Sequence, residues 1–377
     1  MRIIRSPANA LAKVATKAIE RDPEFVKSII STFLYLANFP KNRQIQYVST
    51  WSISLLYRLL KAVHTTPYGE ELKFDAPLAI SVSVGKYCPF SCAGCYSASN
   101  SEEIKDLEYS HSFELVAKSE IPCVIITGGE PLLAPDFCNQ LSVLLDAGKS
   151  LYISTNLKAD SLIDLIKRYP YQITLIVPVW GDEIGHDLLR GKGSFERVKY
   201  NANICRDLPC DVLVYAMLQD DEDSSGTLAA TSRLATNPNT FDVQIMRKID
   251  NQGADGVQQF EVSLLGAAIA SLRGLFRNIR VDIPELRALR RFTSAERLLG
   301  FKLPGGCTAG STRMHLNDQG EAMSCFAFDS GDAPKQPQTV VQDLDEQWRD
   351  IQSCATNKGG CACPAETSES ARSGASG

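Results

Sequence analysis

Three cysteines stand at Cys88, Cys92 and Cys95 in the stretch CPFSCAGCYSAS, a C-x3-C-x2-C spacing with no fourth cysteine close behind. Clustered thiolates hold zinc or iron–sulfur clusters. Structural zinc takes four ligands, so three thiols leave such a site one short. His186 and His315 are far off in sequence, and one of them would have to complete the set in space. A cubane [4Fe–4S] cluster on three cysteines instead leaves one iron with open coordination positions, where a substrate or cofactor can bind.

Three further stretches carry residues of chemical use. ITGGEP, from Ile126 to Pro131, pairs Gly128 and Gly129 ahead of Glu130; paired glycines let backbone approach a ligand, and the glutamate offers a carboxylate to an ammonium group. STNL places Ser154 and Asn156 in a polar turn. HDLLRGKGSFERV, from His186 to Val198, sets His186, Asp187 and Arg190 where a helix starts, and capping and bracing that start is the simplest use of them.

The elements around these stretches read as alternating strand and helix. Short apolar runs occupy 78–84, 123–127, 151–155, 173–179, 211–218 and 241–246, with helix-like stretches such as SFELVAKS and SLIDLIKRY between them. That alternation implies a parallel sheet with crossover helices. Sites in such folds lie at the C-terminal ends of strands. Cys88 follows the first run, Gly128 the second and Asn156 the third, so one rim collects the candidate chemistry. Cys123, Cys138, Cys205 and Cys210 fall in strand- or helix-like contexts and read as buried core thiols; Tyr215 and Met217 sit on a core strand and read as core side chains, with facing the cavity as the alternative.

The combination resembles the radical S-adenosylmethionine (radical SAM) family. The resemblance implies a partial (β/α)6 TIM-like barrel, with Cys88, Cys92 and Cys95 holding a [4Fe–4S] cluster whose fourth iron is chelated by S-adenosylmethionine (SAM). It implies that Gly128, Gly129 and Glu130 bind the SAM amino group, and that Ser154 and Asn156 meet its ribose or carboxylate. Tyr96 follows the third cysteine, where the family usually has an aromatic residue just before it; here that position is Gly94. Arg190 and, after the last run, Arg247 are further SAM-contact candidates. Reductive cleavage of SAM to a 5′-deoxyadenosyl radical, then hydrogen-atom abstraction, is the implied activity, with a one-electron reductant such as flavodoxin or ferredoxin as partner.

Five of the twelve cysteines come after Gly306. Cys307 and Cys325 are separated by CTAGSTRMHLNDQGEAMSC, which resembles the opening motif of the SPASM and twitch domains of this family; NDQGE reads independently as a hairpin turn. The longer SPASM cysteine run is absent. Cys354, Cys361 and Cys363 remain, so the resemblance implies one auxiliary [4Fe–4S] cluster on Cys307, Cys325 and two of those three, with zinc as the rival metal. The expected organisation is a helical, basic extension over 1–68, the barrel over 69–300, the auxiliary domain over 301–364 and a disordered tail over 365–377.

Composition is that of a globular protein, 44% hydrophobic and 22% charged, and a net charge of -5 argues against broad nucleic-acid binding. The charge is uneven: residues 1–63 hold ten Lys/Arg against three Asp/Glu, a net of +7, so the remainder carries -12. Two amphipathic helices packed on the barrel are the expectation there, with Trp51, Leu55, Leu56 and Leu59 on one face and Arg58 and Lys61 between them. The alternative is a peripheral membrane contact through residues 25–65. No secretory signal opens the chain, and clustered thiols suit a reducing, cytoplasmic setting better than a disulfide framework. Three activities follow as alternatives: a redox-changing modification or crosslink of a peptide or small metabolite, the same chemistry on a lipid, and a non-catalytic zinc or redox-sensing protein.

Overall fold

The computed structural model describes residues 58, 61, 62, 65, 74, 76–90, 92, 95, 109–218, 221–234, 241–247, 272, 278–282, 313–323 and 344. The expectations for Trp51 and its neighbours, Tyr96, Cys307, Cys325, Cys354, Cys361, Cys363 and the tail lie outside the described residues.

Seven parallel strands lie side by side in chain order: β1 (Ala79–Ser83), β2 (Cys123–Thr127), β3 (Ser150–Ser154), β4 (Ile173–Trp180), β5 (Asp211–Leu218), β6 (Phe241–Arg247) and β7 (Asn278–Asp282). The first six coincide with the six apolar runs read from the sequence, and β7 adds a seventh. Helices fill the crossovers: α1 (Tyr109–Lys118), α2 (Phe137–Asp146), α3 (Ile163–Arg168), the pair α4 (Glu183–Arg190) and α5 (Ser194–Asp207), and α6 (Asp221–Leu234). Sequence-adjacent parallel strands with helices in the five connections from β1 to β6 are the construction of a TIM-like sheet.

The two faces of the sheet differ. Val82, Ile126, Ile153, Val177 and Val214 are fully buried with the helix side chains Phe113, Leu141, Leu144 and Phe195, in one apolar cluster. The alternate positions Ser81, Ile125, Tyr152, Ser154, Thr174, Tyr215 and Met217 are only half buried. Period-2 alternation therefore puts the core between helices and sheet and leaves a partly polar opposite face. Tyr215 and Met217, expected in the core, belong to that opposite face because they alternate with Val214 and Ala216.

A short hairpin completes the sheet. β8 (Arg313–Leu316) runs parallel to β1, with Ala79 opposite Arg313, and β9 (Ala322–Met323) returns antiparallel to β8. The expected NDQGE turn joins them: Asn317 Oδ1 accepts from the Gln319 and Glu321 amides at 3.0 and 2.8 Å, and Gly320 takes a φ of 76° that side chains resist. On β1 the Ser81 hydroxyl and His315 Nδ1 lie 2.8 Å apart. Residues 313–323 thus extend the same sheet.

Two expectations change. Arg58, read as lying between the apolar positions of its helix, is buried, and donates from its guanidinium to the Glu120 carbonyl at 2.8 Å. Its long stem and planar head let it cover apolar surface and satisfy a carbonyl at once. Cys205 and Cys210 are buried as expected, but a disulfide joins them across the α5–β5 turn, so they are not free thiols. The short loop between helix end and strand start brings their Cα atoms to 5.2 Å, within bridging range. Among the described residues, no helix is long and apolar enough to cross a membrane.

Candidate active site at the strand-end rim

The GGE turn sits against the chain that leads into the cysteines. The Gly129 amide donates to the Gly85 carbonyl at 2.6 Å and the Glu130 amide to the Tyr87 carbonyl at 2.8 Å, continuing the β1–β2 pairing past both strands. A Cβ on Gly129 would stand 2.0 Å from the Tyr87 carbonyl oxygen, and one on Gly128, at φ 111°, would stand 2.5 Å from that of Gly85. The glycines therefore let two backbones lie together immediately before Cys88, a closer reason for them than approach to a ligand.

Glu130 is buried, and its carboxylate is shared among donors from two strand ends. Oε1 accepts from the Thr155 hydroxyl at 2.5 Å and the Leu132 amide at 3.2 Å; Oε2 accepts from the Asn156 amide at 2.7 Å. Burial outweighs these bonds and holds the carboxyl above the usual carboxylate range. A cation brought beside it would restore its charge.

Asn156 is the junction of the rim. Its amide holds Glu130, its Oδ1 accepts from the Arg190 guanidinium, its Nδ2 reaches to 4.0 Å from Cys92 Sγ, and its carbonyl accepts from Arg197 Nε at 2.6 Å. Arg190 comes from the end of α4 and stacks on the Trp180 ring at 5.2 Å. Burial works against its charge, whereas the Cys92, Cys95, Cys88 and Glu130 groups favour it. Its Nε–H is buried and has no hydrogen-bond partner among the described residues.

Cys88, Cys92 and Cys95 are all unlinked thiols. The Cys95 amide donates to the Cys92 carbonyl at 3.3 Å, a single turn between the second and third cysteines. Burial pushes the Cys88 thiol up to about 11, with the Phe90 amide opposing it. Burial also raises Cys92, against the pull of Arg190. Thiols in this state give up protons when a metal centre binds. No three His, Cys, Asp or Glu side chains among the described residues converge tightly enough for a single metal ion. The three thiols, with the unpaired Arg190 Nε–H and the close-packed glycine turn beside them, suit a larger, anionic, thiolate-bound group.

The HDLLRGKGSF stretch does the bracing read from it. Asp182 caps α4, accepting from the Gly185 amide at 2.8 Å. Asp187 caps α5: Oδ1 takes the Phe195 amide at 2.8 Å and the Ser194 hydroxyl at 3.0 Å, and Oδ2 takes the Gly193 amide at 2.6 Å. Burial disfavours its charge, but these donors prevail and hold it below the ordinary carboxylate value. His186 is buried, accepts the Trp180 amide on Nδ1 at 3.2 Å and packs edge-on to Phe195. It is thereby committed to the helix pair and not to the cysteines.

The rim thus gathers Cys88, Cys92, Glu130, Asn156 and Arg190. Ser154 ends β3 on the half-buried face, away from buried Thr155, and Arg247 is the last residue of β6. Three residues went unread: Thr155, which also accepts the Leu157 amide at 3.0 Å, and Arg197 and Asn201. Asn201 donates to the Leu157 carbonyl at 2.8 Å and accepts the Ala159 amide at 2.9 Å. Their i,i+4 spacing on one helix was the available signal.

The family model described as the radical SAM superfamily matches residues 82–226, from β1 into α6. The AdoMet-dependent heme synthase of Methanosarcina barkeri is 28% identical over 139 residues, 35% of this chain and 40% of that protein, so the match spans well under half of that curated relative. Among solved structures, Streptococcus suis SuiB bound to precursor peptide SuiA is similar with a TM-score of 0.57 and 16% identity, over 90% of this chain and 79% of that one. SuiB bound to S-adenosylmethionine matches with a TM-score of 0.58 and 16% identity, over 81% and 72% of the two chains. At this identity the likeness is one of fold.

Proposed function

We propose, on the premise that residues 82–226 are a radical SAM superfamily domain, that the protein cleaves SAM reductively and abstracts a hydrogen atom from a peptide substrate. The observation that carries this reading is the set of three unlinked thiols on the rim that also holds Glu130, Asn156 and Arg190. Cys88, Cys92 and Cys95 would hold a [4Fe–4S] cluster, which supplies the electron for cleaving the carbon–sulfur bond of SAM. Glu130, raised by burial, would take the SAM ammonium, with Gly128 and Gly129 shaping the turn. Arg190 and the Asn156 side chain would face the SAM carboxylate, Ser154 the ribose, and Tyr96 the adenine side. Arg190 also offsets the charge of the thiolates.

A polar substrate suits the sheet's open face, where Ser81, Tyr152, Ser154, Thr174 and Tyr215 are only half buried. SuiB, which shares the fold, is solved with a precursor peptide. We extend the reading to an auxiliary cluster on Cys307, Cys325 and two of Cys354, Cys361 and Cys363, and to a flavodoxin- or ferredoxin-type reductant. An auxiliary cluster would accept the electron left after hydrogen loss and make the outcome oxidative.

Iron and sulfide content after anaerobic reconstitution tests this, in the wild type and in a Cys88/Cys92/Cys95→Ala variant. About eight irons falling to about four are expected for two cubanes. About four falling to none would remove the auxiliary cluster. No iron in either, or zinc in its place, would overturn the enzyme reading.

A further inference from the structure

We propose that Arg197 is a positioning residue that docks the cysteine loop onto the Asn156 turn. The inference goes beyond the reading above in assigning a device, carried by α5, that fixes the two halves of the rim to each other. Its guanidinium makes two contacts in different directions. Nε donates to the Asn156 carbonyl at 2.6 Å, and the guanidinium carbon lies 5.1 Å from the centre of the Phe90 ring. Phe90 sits between Cys88 and Cys92, and the amide of Phe90 is the one that bears on the Cys88 thiol. A planar guanidinium can donate in its plane and stack on its face at once, which a lysine cannot do.

The helix that carries Arg197 is itself fixed. Asp187 caps its first turn, and Asn201, one turn after Arg197, clamps the Leu157 carbonyl and the Ala159 amide. The Tyr200 hydroxyl adds a bond to Asp160. So α5 grips the chain from Asn156 to Asp160 along one side, and Arg197 extends that grip to the cysteine loop. The Cys95–Cys92 turn, the pairing of residues 85–87 with the GGE turn and the approach of Asn156 Nδ2 to Cys92 Sγ hold the same loop. Asn156 joins Glu130, Arg190 and Cys92, so a shift of its carbonyl disturbs the Glu130 and Arg190 contacts assigned to SAM.

The test compares wild type, Arg197→Met, Arg197→Lys, Phe90→Leu and the Arg197→Met/Phe90→Leu double variant. In the apo-protein, amide exchange of the peptide covering 86–95 should rise about tenfold in Arg197→Met and in Phe90→Leu, and no further in the double variant. The peptide covering β5 should not change. After reconstitution, iron content should hold while SAM affinity, read from the SAM-induced change in the cluster's EPR spectrum, falls about tenfold in Arg197→Met and less in Arg197→Lys. Unchanged exchange at 86–95, or additive effects in the double variant, would overturn the proposal. If the wild type takes up no iron, the radical SAM reading fails, and the apo exchange still decides the role of Arg197. Arg197→Lys supplies the same exchange readout if Arg197→Met does not fold.

Discussion

A neutral imidazole lies under the rim. His186 accepts the Trp180 amide on Nδ1, which fixes its proton on Nε2, and Nε2 has no partner among the described residues. Burial, with Arg190 adding to it, lowers its pKa to about 3. The unfolded chain takes a proton on this residue below its ordinary value of about 6.5, and the folded chain only near 3. The unfolded state therefore binds more protons in that window, and folding stability falls as pH drops through it. At pH 5 the residue should account for about 2 kcal/mol of lost stability relative to pH 7.5. His186→Gln keeps an acceptor for the Trp180 amide and does not titrate. Urea midpoints at the two pH values should show a smaller acid loss in the variant than in wild type; equal losses would mean the imidazole takes its proton while folded.

At the scale of elements, the rim is held by turns that replace strand pairing where the strands stop. The GGE turn is the tightest of them. Gly129→Ala puts a methyl 2.0 Å from a backbone oxygen that has no room to move, because Glu130 bonds the same carbonyl. The expected cost is about 3 kcal/mol, the upper range for overpacking. Asp187→Ala, which strips the α5 cap of three bonds, should cost about 1–2 kcal/mol. Thermal melts separate the two from a local effect: Gly129→Ala should also abolish iron uptake, whereas Asp187→Ala should keep it. If Gly129→Ala melted as wild type, the close approach of the two backbones would not exist in solution.

The whole molecule was partly legible from its residues. The six apolar runs became β1 to β6 because a strand buried on its helix side must supply a Val, Ile or Leu at every second position, and little else in this chain does so. The NDQGE turn was legible because Asn and Gly have local reasons to be there. Glu130, Asn156 and Arg190 stood out as polar residues at strand and helix ends. What stayed hidden depends on contacts far along the chain. Thr155 serves a carboxylate 25 residues away, and Arg197 a carbonyl 41 away. Arg58 reaches a carbonyl 62 positions on, so its charge alone pointed to solvent. Nothing in the local sequence around Ser81 announces His315.

That last pairing governs how the protein can be made. β1 delivers the cysteine loop, yet among the described residues one of its two edges is closed by β8, with Arg313 opposite Ala79. On a growing chain β1 keeps an open edge until β8 has emerged, and an open edge invites pairing with other chains. The cysteine loop is therefore born on an unfinished scaffold, and the cluster proposed for it would load after β8 has been made. A chain ended at residue 305 should expose that edge and appear as aggregate by light scattering, although every residue of the radical SAM match is present. Adding back the hairpin as a fused segment should return it to solution, which makes a late strand the one that licenses β1.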